Sequence, residues 1–314
     1  MSPKALDNAV VFGKYQNLVG TVTAPIEKNC DTAPVAAIFM TAGMLHHAGP
    51  FRLHLDLAHQ LSKSNIVSMR FDLSGIGESF GVGTTGRSID RAANETAQAM
   101  DYLTSQYGIE KFVLFGLCSG ADDSVHTALS DHRVVGFVSM DGCGYPTKKF
   151  YWNRLTSHYL SRLLMLSKWM GVVKRLFGGS RQTPSSLQSG SDIREFPTQD
   201  VAEKEFQSLV QRGVDMHFVF TGGIAEYYNY VDQFHDMFSK VDWNGKATTT
   251  FFPHMDHIAF LCEDRNQLVA DVTSKMIEMT NQHAESRVDV TDPPPAIASA
   301  LPQLNLPLGS MQQS

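Results

Sequence analysis

Short unbroken apolar runs alternate along the chain with stretches in which apolar residues recur every third or fourth position. That alternation predicts buried strands separated by amphipathic helices. Val35 to Met40 and Phe112 to Phe115 are unbroken, and the segments IVSMRF, VVGFVSM ending at Met140, HFVF and TTTFF read as strands with polar residues among the apolar ones. Between them, Leu53, Leu57 and Leu61 mark one helical face within Gly49 to Lys63, with Pro50 at the first helical position. A second helix is expected to start at Ser88 as its cap and to end near Tyr107 with Gly108 as its stop. Further helices are expected over 119–130, from Thr198 to Arg212, and from Asn266 to Met279 with Leu268, Val272 and Met276 on one face. Ala9 to Phe12 and Leu18 to Thr23 flank GKYQN and read as an antiparallel hairpin that begins the sheet. Continuous apolar runs are those of strands buried on both faces, so the fold class is α/β with a mostly parallel central sheet.

Composition narrows the picture. Only one strand-and-helix series is visible in 314 residues, so one domain over 1–286 is expected, followed by a Pro-rich tail over 287–314 without a periodic apolar face. The chain is 43% apolar, yet no apolar run approaches the roughly 18 residues that a membrane span needs. A net charge of −6 carries no excess of basic residues, so no nucleic-acid partner is expected. MSPKALDNAV has neither a charged nor an apolar signal region, and a cytoplasmic location is expected. The cysteines, at positions 30, 118, 143 and 262, show no CxxC or metal-ligand spacing, which predicts free thiols, no disulfide framework and no metal.

The candidate chemistry sits where the run Phe112 to Phe115 meets GLCSG. Centring the GxSxG elbow pattern on Cys118 places Gly116 and Gly120 two residues to either side. Centring it on Ser119 fails, because Leu117 and Ala121 would stand there. The candidate nucleophile is therefore the Cys118 thiol, at the N-terminus of the helix that follows, whose free N–H groups and dipole favour a thiolate. Taken alone, GLCSG also fits a glycine-flanked strand end with a buried cysteine. Asp122 and Asp123, in the first turn of that helix, read as helix-capping carboxylates.

With AGPFRLHLDLAHQL, RFDLSGIGES and GLCSGA in this order, the chain resembles the α/β-hydrolase superfamily over roughly residues 8 to 280. Within it, these runs are most similar to the hydrolases found beside bacterial exosortase systems and to serine-aminopeptidase-like hydrolases, with Cys in place of the nucleophilic Ser. The resemblance implies an α/β-hydrolase fold with a helical lid inserted after the sixth strand, about 142–196. It implies an oxyanion hole made by the loop after Met40, at Gly43 and Met44, together with the Ser119 amide. DLSGIGES matches the superfamily's DxxGxGxS turn; its glycine spacing is neither a dinucleotide fingerprint nor a Walker loop, so no cofactor is expected.

The resemblance also implies a chain order of nucleophile, acid, histidine. His257 in HMDHIAF matches the histidine loop, with His254 as its competitor. For the acid, Glu226 in TGGIAEYYN is the nearest carboxylate after the seventh strand, and Asp141 after the sixth is the alternative. A cysteine tolerates a modest orienting acid, because a free thiol titrates near ~8.5 and an adjacent imidazolium and helix N-terminus lower that by several units. His46 and His47 are candidate substrate contacts or ordinary loop histidines. Cys143 reads as core or as pocket lining.

From Gly142 to Ser191 the chain has no Asp or Glu, while Lys148, Lys149, Arg154, Arg162, Lys168, Lys174, Arg175 and Arg181 alternate with aromatic and aliphatic residues, Trp152 among them. Besides a lid with a solvated basic face, this composition fits an anionic partner such as CoA or an acyl carrier protein, or peripheral contact with an anionic membrane surface. The expected activity is hydrolysis of an ester, thioester or lactone of a small-molecule acyl substrate. Alternatives are an acyltransferase or thioesterase working on a carrier-bound acyl chain, and a catalytically inactive hydrolase-fold binding protein.

Overall fold

Residues that alternate along each central run point to opposite faces of one sheet, and both faces are covered. In β3 (Val35–Met40) and β5 (Lys111–Leu117), Ala36, Ile38, Met40, Phe112 and Leu114 join one core cluster, while Val35, Ala37, Phe39, Val113, Phe115 and Leu117 join another. The structure, a computed structural model, describes residues 6–25, 33–82, 86–156 and 197–285. The remaining strands are β1 (Leu6–Phe12), β2 (Leu18–Ala24), β4 (Ser68–Phe71), β6 (Val134–Met140), β7 (Asp215–Thr221) and β8 (Ala247–Phe252). They form an eight-stranded sheet in the order β1-β2-β4-β3-β5-β6-β7-β8. β1, β2 and β4 pair antiparallel, so the expected hairpin begins the sheet, and every pairing from β4 to β8 is parallel.

The helices are α1 (Leu53–Ser62), α2 (Ser88–Tyr107), α3 (Ser119–Ser130), α4 (Lys148–Leu155), α5 (Gln199–Gln211), α6 (Gln233–Met237) and α7 (Cys262–Glu285). On one face, Leu53, Leu57 and Leu61 of α1 meet Leu268, Val272 and Met276 of α7. Each of these leucines is fully buried, which stabilises the fold by about 1.5–3 kcal/mol per side chain relative to exposure. On the other face, α2, α3 and α5 pack through residues such as Met100, Leu103, Ala128 and Phe206.

Helix starts differ from expectation in local detail. α1 begins at Leu53, not at Pro50, because Phe51 and Arg52 take left-handed backbone values (φ 47° and 69°) that confine Pro50–Arg52 to an isolated 3-10 turn. The chain enters this way because the His54 ring is turned inward, stacked at 5.6 Å on Phe39, while its amide donates to Ala48 O at 3.1 Å. Arg87, and not Ser88, is the N-cap of α2; Gly108 ends that helix as expected, at φ 68° with its N–H on Thr104 O. The last helix runs beyond the expected Asn266 to Met279, with Glu263 and Asp264 complementing the dipole in its first turn and His283 bound to Asp215 at 2.7 Å near its end. No helix among the described residues is long and apolar enough to cross a membrane. Most of the expected lid, from residue 157 to 196, the tail over 287–314 and Cys30 lie outside the described residues.

His54 gives the fold a dependence on pH. Burial pushes its imidazole down to about 4, and the ring stays neutral with Nδ1–H donating to His47 O at 3.2 Å. An unfolded histidine titrates near ~6.5, so the stabilisation is complete above that value and is lost as pH falls toward about 4, up to about 3 kcal/mol. Urea unfolding at pH 7 and pH 4.5 is expected to show that loss. His54→Phe, which keeps a ring against Phe39 and Phe115, is expected to flatten it.

Candidate active site

Strand β5 delivers Cys118 to the C-terminal edge of the parallel sheet, with φ 58° and ψ −120° at the turn into α3. Such a left-handed, strained turn exposes the side chain above the sheet and requires close approach on both sides. A Cβ on Gly116 would collide with the Gly120 carbonyl, and one on Gly120 would stand 2.8 Å from Met40 O and 2.9 Å from Thr41 O. The two glycines therefore let the end of β3 press directly on the elbow. This brings the loop carrying Gly43 and Met44 to Ser119, whose Oγ accepts a hydrogen bond from Gly43 N at 2.7 Å. Among the described residues the amides of Met44 and Ser119 have no hydrogen-bond partner. Of the two loop residues expected at an oxyanion hole, Gly43 thus has its amide engaged, and Met44 has its amide open.

His257 reaches the site from the loop after β8. One ring nitrogen, Nδ1, donates to Asp141 Oδ2 at 2.7 Å, and the imidazole is also hydrogen-bonded to Cys118. The hydrogen bond to Asp141, then that to Cys118, lifts the ring to about 10 against the opposing effect of burial. His254 is exposed and takes no part in this chain of contacts.

The acid beside His257 is Asp141 and not Glu226, which corrects the first of the two expectations. Glu226 is exposed in the loop after β7, whereas the Asp141 side chain is fully buried at the end of β6. Asp141 is held by Thr221, whose N–H donates to Oδ1 at 2.8 Å and whose hydroxyl donates to Oδ2 at 2.7 Å. The loop after β7 serves the histidine instead. A Cβ on Gly222 would strike the Pro253 carbonyl and one on Gly223 would strike the His257 backbone, so both glycines let the histidine loop settle against the strand end. Asp256 closes that loop by accepting from the amides of Ile258 and Phe260 at 2.9 and 3.0 Å. Sequence reasoning missed Thr221 and this use of Gly222 and Gly223; the signal was the TGG triplet directly after a buried strand.

His47 is tied into the scaffold of the β3 loop. Its amide donates to Asp72 Oδ1 at 2.6 Å, its Nδ1 to Asp72 Oδ2 at 2.9 Å, and its Nε2 faces Thr21 Oγ1 at 3.3 Å. With 5% of its surface exposed and both ring nitrogens occupied, it offers no free edge to a substrate. Burial pushes the Asp72 carboxyl up, but the bonds from His47 and the Glu78 amide prevail and hold it below the usual carboxylate range. His46 is exposed and its ring lies tilted against that of His47, ring centres 3.9 Å apart. His46, His47 and Asp72 are the group among the described residues whose donor atoms lie close enough to hold a metal ion. The donor set suits a zinc-like ion, but His47 Nδ1 already meets Asp72, and His46 Nδ1 accepts from the Ala48 amide at 3.2 Å, which leaves its Nε2 protonated on the side facing Asp72. Trp152 is exposed on α4 and lines a groove of about 570 Å³ with Lys148, Tyr151, Arg154 and Leu155; the lining includes neither Cys118 nor His257.

No protein-family model matches the chain, and no curated protein matches it in sequence. Solved structures do. A putative hydrolase from Agrobacterium vitis is 16% identical with a TM-score of 0.52, covering 88% of this chain and 99% of that one. The esterase PF2001 of Pyrococcus furiosus is 11% identical with a TM-score of 0.55, covering 88% and 91%. Est1E from Butyrivibrio proteoclasticus, solved with ferulic acid bound, is 13% identical with a TM-score of 0.51, covering 84% and 96%. The protein has the α/β-hydrolase fold, a mostly parallel sheet of eight strands between helical layers.

Proposed function

We propose that the protein is an acyl hydrolase working through Cys118, His257 and Asp141. The observation that carries this reading is the imidazole of His257, bound to Asp141 at 2.7 Å and hydrogen-bonded to Cys118 at the turn into α3. An imidazole lifted to about 10 is protonated at neutral pH, and beside a thiol at a helix N-terminus it favours a resting thiolate–imidazolium pair. The esterase and hydrolase neighbours fit this reading.

In the reaction, the Cys118 thiolate attacks the carbonyl carbon of an ester, thioester or lactone, and the carbonyl electron pair moves onto oxygen. The amides of Met44 and Ser119 hold that oxyanion; a donor of this kind lowers the barrier by about 2.7–4 kcal/mol. Collapse breaks the bond to the leaving group, which takes the proton from His257 and leaves an acyl thioester on Cys118. Water then gives a proton to His257 and attacks the thioester, and the thiolate departs as the carboxylic acid forms.

A second reading takes the acyl group from a CoA or carrier-protein thioester and passes it to water, as a thioesterase, or to an alcohol or amine, as an acyltransferase. Lys148 and Arg154 beside Trp152, at the start of the acid-free stretch from Gly142 to Ser191, favour it. In the binding-protein reading Cys118 is inert.

Iodoacetamide at pH 6, read by mass spectrometry, tests the proposal. Cys118 is expected to alkylate at least about tenfold faster than the exposed Cys262, and His257→Ala is expected to abolish the difference. Equal rates for the two cysteines in the unaltered protein would refute the enzyme reading. Partition of an acyl thioester between free acid and an amine or alcohol adduct separates hydrolase from transferase.

A further inference from the structure

The side chain of Ser119 has no part in the reaction as described, yet its Oγ meets the Gly43 amide, next along the chain to the Met44 amide that the mechanism assigns to the oxyanion. Cys118 is the N-cap of α3, so Ser119 is its first helical residue and has no preceding turn to bond to. The later hydroxyls of this helix spend their protons on it: Ser124 donates to Gly120 O, Thr127 to Asp123 O and Ser130 to His126 O. Ser119 Oγ instead crosses to the β3 loop, where it accepts from Gly43 N at 2.7 Å. A hydroxyl has one proton to donate, and among the described residues that of Ser119 has no acceptor. The flanking amides of Met44 and Ser119 likewise have no partner there.

Resting on the acyl-transfer reading above, we propose that the Ser119 hydroxyl is a third oxyanion donor, braced by Gly43 and donating a hydrogen bond to the carbonyl oxygen as negative charge develops. Accepting the Gly43 N–H polarises the hydroxyl and strengthens it as a donor. The same bond fixes the distance between the two sides of the hole, because Gly43 precedes Met44 on the loop and Ser119 follows the nucleophile on the helix. The hydroxyl makes and breaks no covalent bond and keeps its proton throughout.

Two reactions of the same sulfur test this. Acylation of Cys118 by p-nitrophenyl acetate builds an oxyanion, whereas alkylation by iodoacetamide displaces iodide at a tetrahedral carbon and builds none. Ser119→Ala is expected to slow acylation about tenfold to hundredfold, with KM changed by less than about threefold. Its alkylation rate at pH 6 is expected to stay within about twofold, and Ser119→Thr, which keeps the hydroxyl, is expected to recover most of the acylation rate. Acylation by Ser119→Ala at the unaltered rate would overturn the proposal, and so would faster acylation, which would mean that the hydroxyl blocks the hole. A parallel fall in both reactions that Ser119→Thr does not restore would reduce Ser119 to a structural residue. Failure of the unaltered protein to alkylate selectively at Cys118 is a separate result, and it removes the enzyme reading instead.

Discussion

Cys118→Ala is expected to abolish turnover of an activated acyl ester, by on the order of 10⁴-fold or more, while the chain still folds. The loss is large because, on the proposed mechanism, the sulfur forms the covalent intermediate and the neighbouring hydroxyl of Ser119 does not replace it. That hydroxyl is turned toward Gly43, and His257 bonds to Cys118. The fold survives because alanine keeps the same Cβ at the same φ of 58°, so no new backbone strain arises. Besides the bond to His257, the packing of the sulfur against one core cluster is lost, a cost of about 1 kcal/mol. Initial rates with p-nitrophenyl acetate and a urea unfolding curve check both halves. Retention of more than a few per cent of the rate in the alanine variant would sink the assignment of Cys118.

Asp141→Asn carries the second large effect. Both carboxylate oxygens of Asp141 accept hydrogen bonds, one from the Thr221 amide and the other from the Thr221 hydroxyl and His257 Nδ1. An asparagine amide must turn its NH₂ toward a donor on one side or the other, which breaks the orientation of the ring. A neutral orienter in a serine triad costs about 10⁴-fold in kcat; a preformed ion pair needs less help, so about 10²-fold or more is expected here.

The pH profile separates orientation from charge. His257 is lifted to about 10, so the protonated ring that serves the leaving group is present through neutral pH, and activity falls as pH rises through that value. The same sign holds for folding: this contribution to stability is complete below the unfolded value of ~6.5 and is lost as pH rises toward about 10. In Asp141→Asn the largest cause of the elevation is gone, and the alkaline fall in activity moves toward neutrality. Glu226→Gln, at an exposed position, is expected to leave the rate within about twofold and the profile unmoved. A Glu226 variant that shifts the alkaline limb would return the acid to the loop after β7.

The sheet and the elbow were legible because they are local patterns: a run buried on both faces, then glycines at the two places where backbones touch. That the His257 ring stands beside Cys118 was legible from its loop. The acid was not, because the choice between Asp141 and Glu226 is made by neighbouring strands and not by neighbouring residues. β6 and β7 pair in parallel, Met140 beside Val219, so a carboxylate at either strand end falls within reach of one imidazole. Thr221 offers two donors to Asp141; the TGG triplet marks the strand end but does not say which carboxylate its threonine meets. The same limit applies to His47. A histidine pair before a helix looks available to a ligand until Asp72, distant in sequence, takes one ring nitrogen and Thr21 faces the other.

The placement of Asp141 at the end of β6 has a consequence for how the site is assembled along the chain. Cys118 and Asp141 belong to one contiguous β5-α3-β6 unit, and the basic, aromatic stretch after Gly142 begins only when that unit is complete. On the proposed mechanism, His257 alone must be brought back from the far side of that stretch, so a change of its length acts on the thiol and the carboxylate only through the return of one loop.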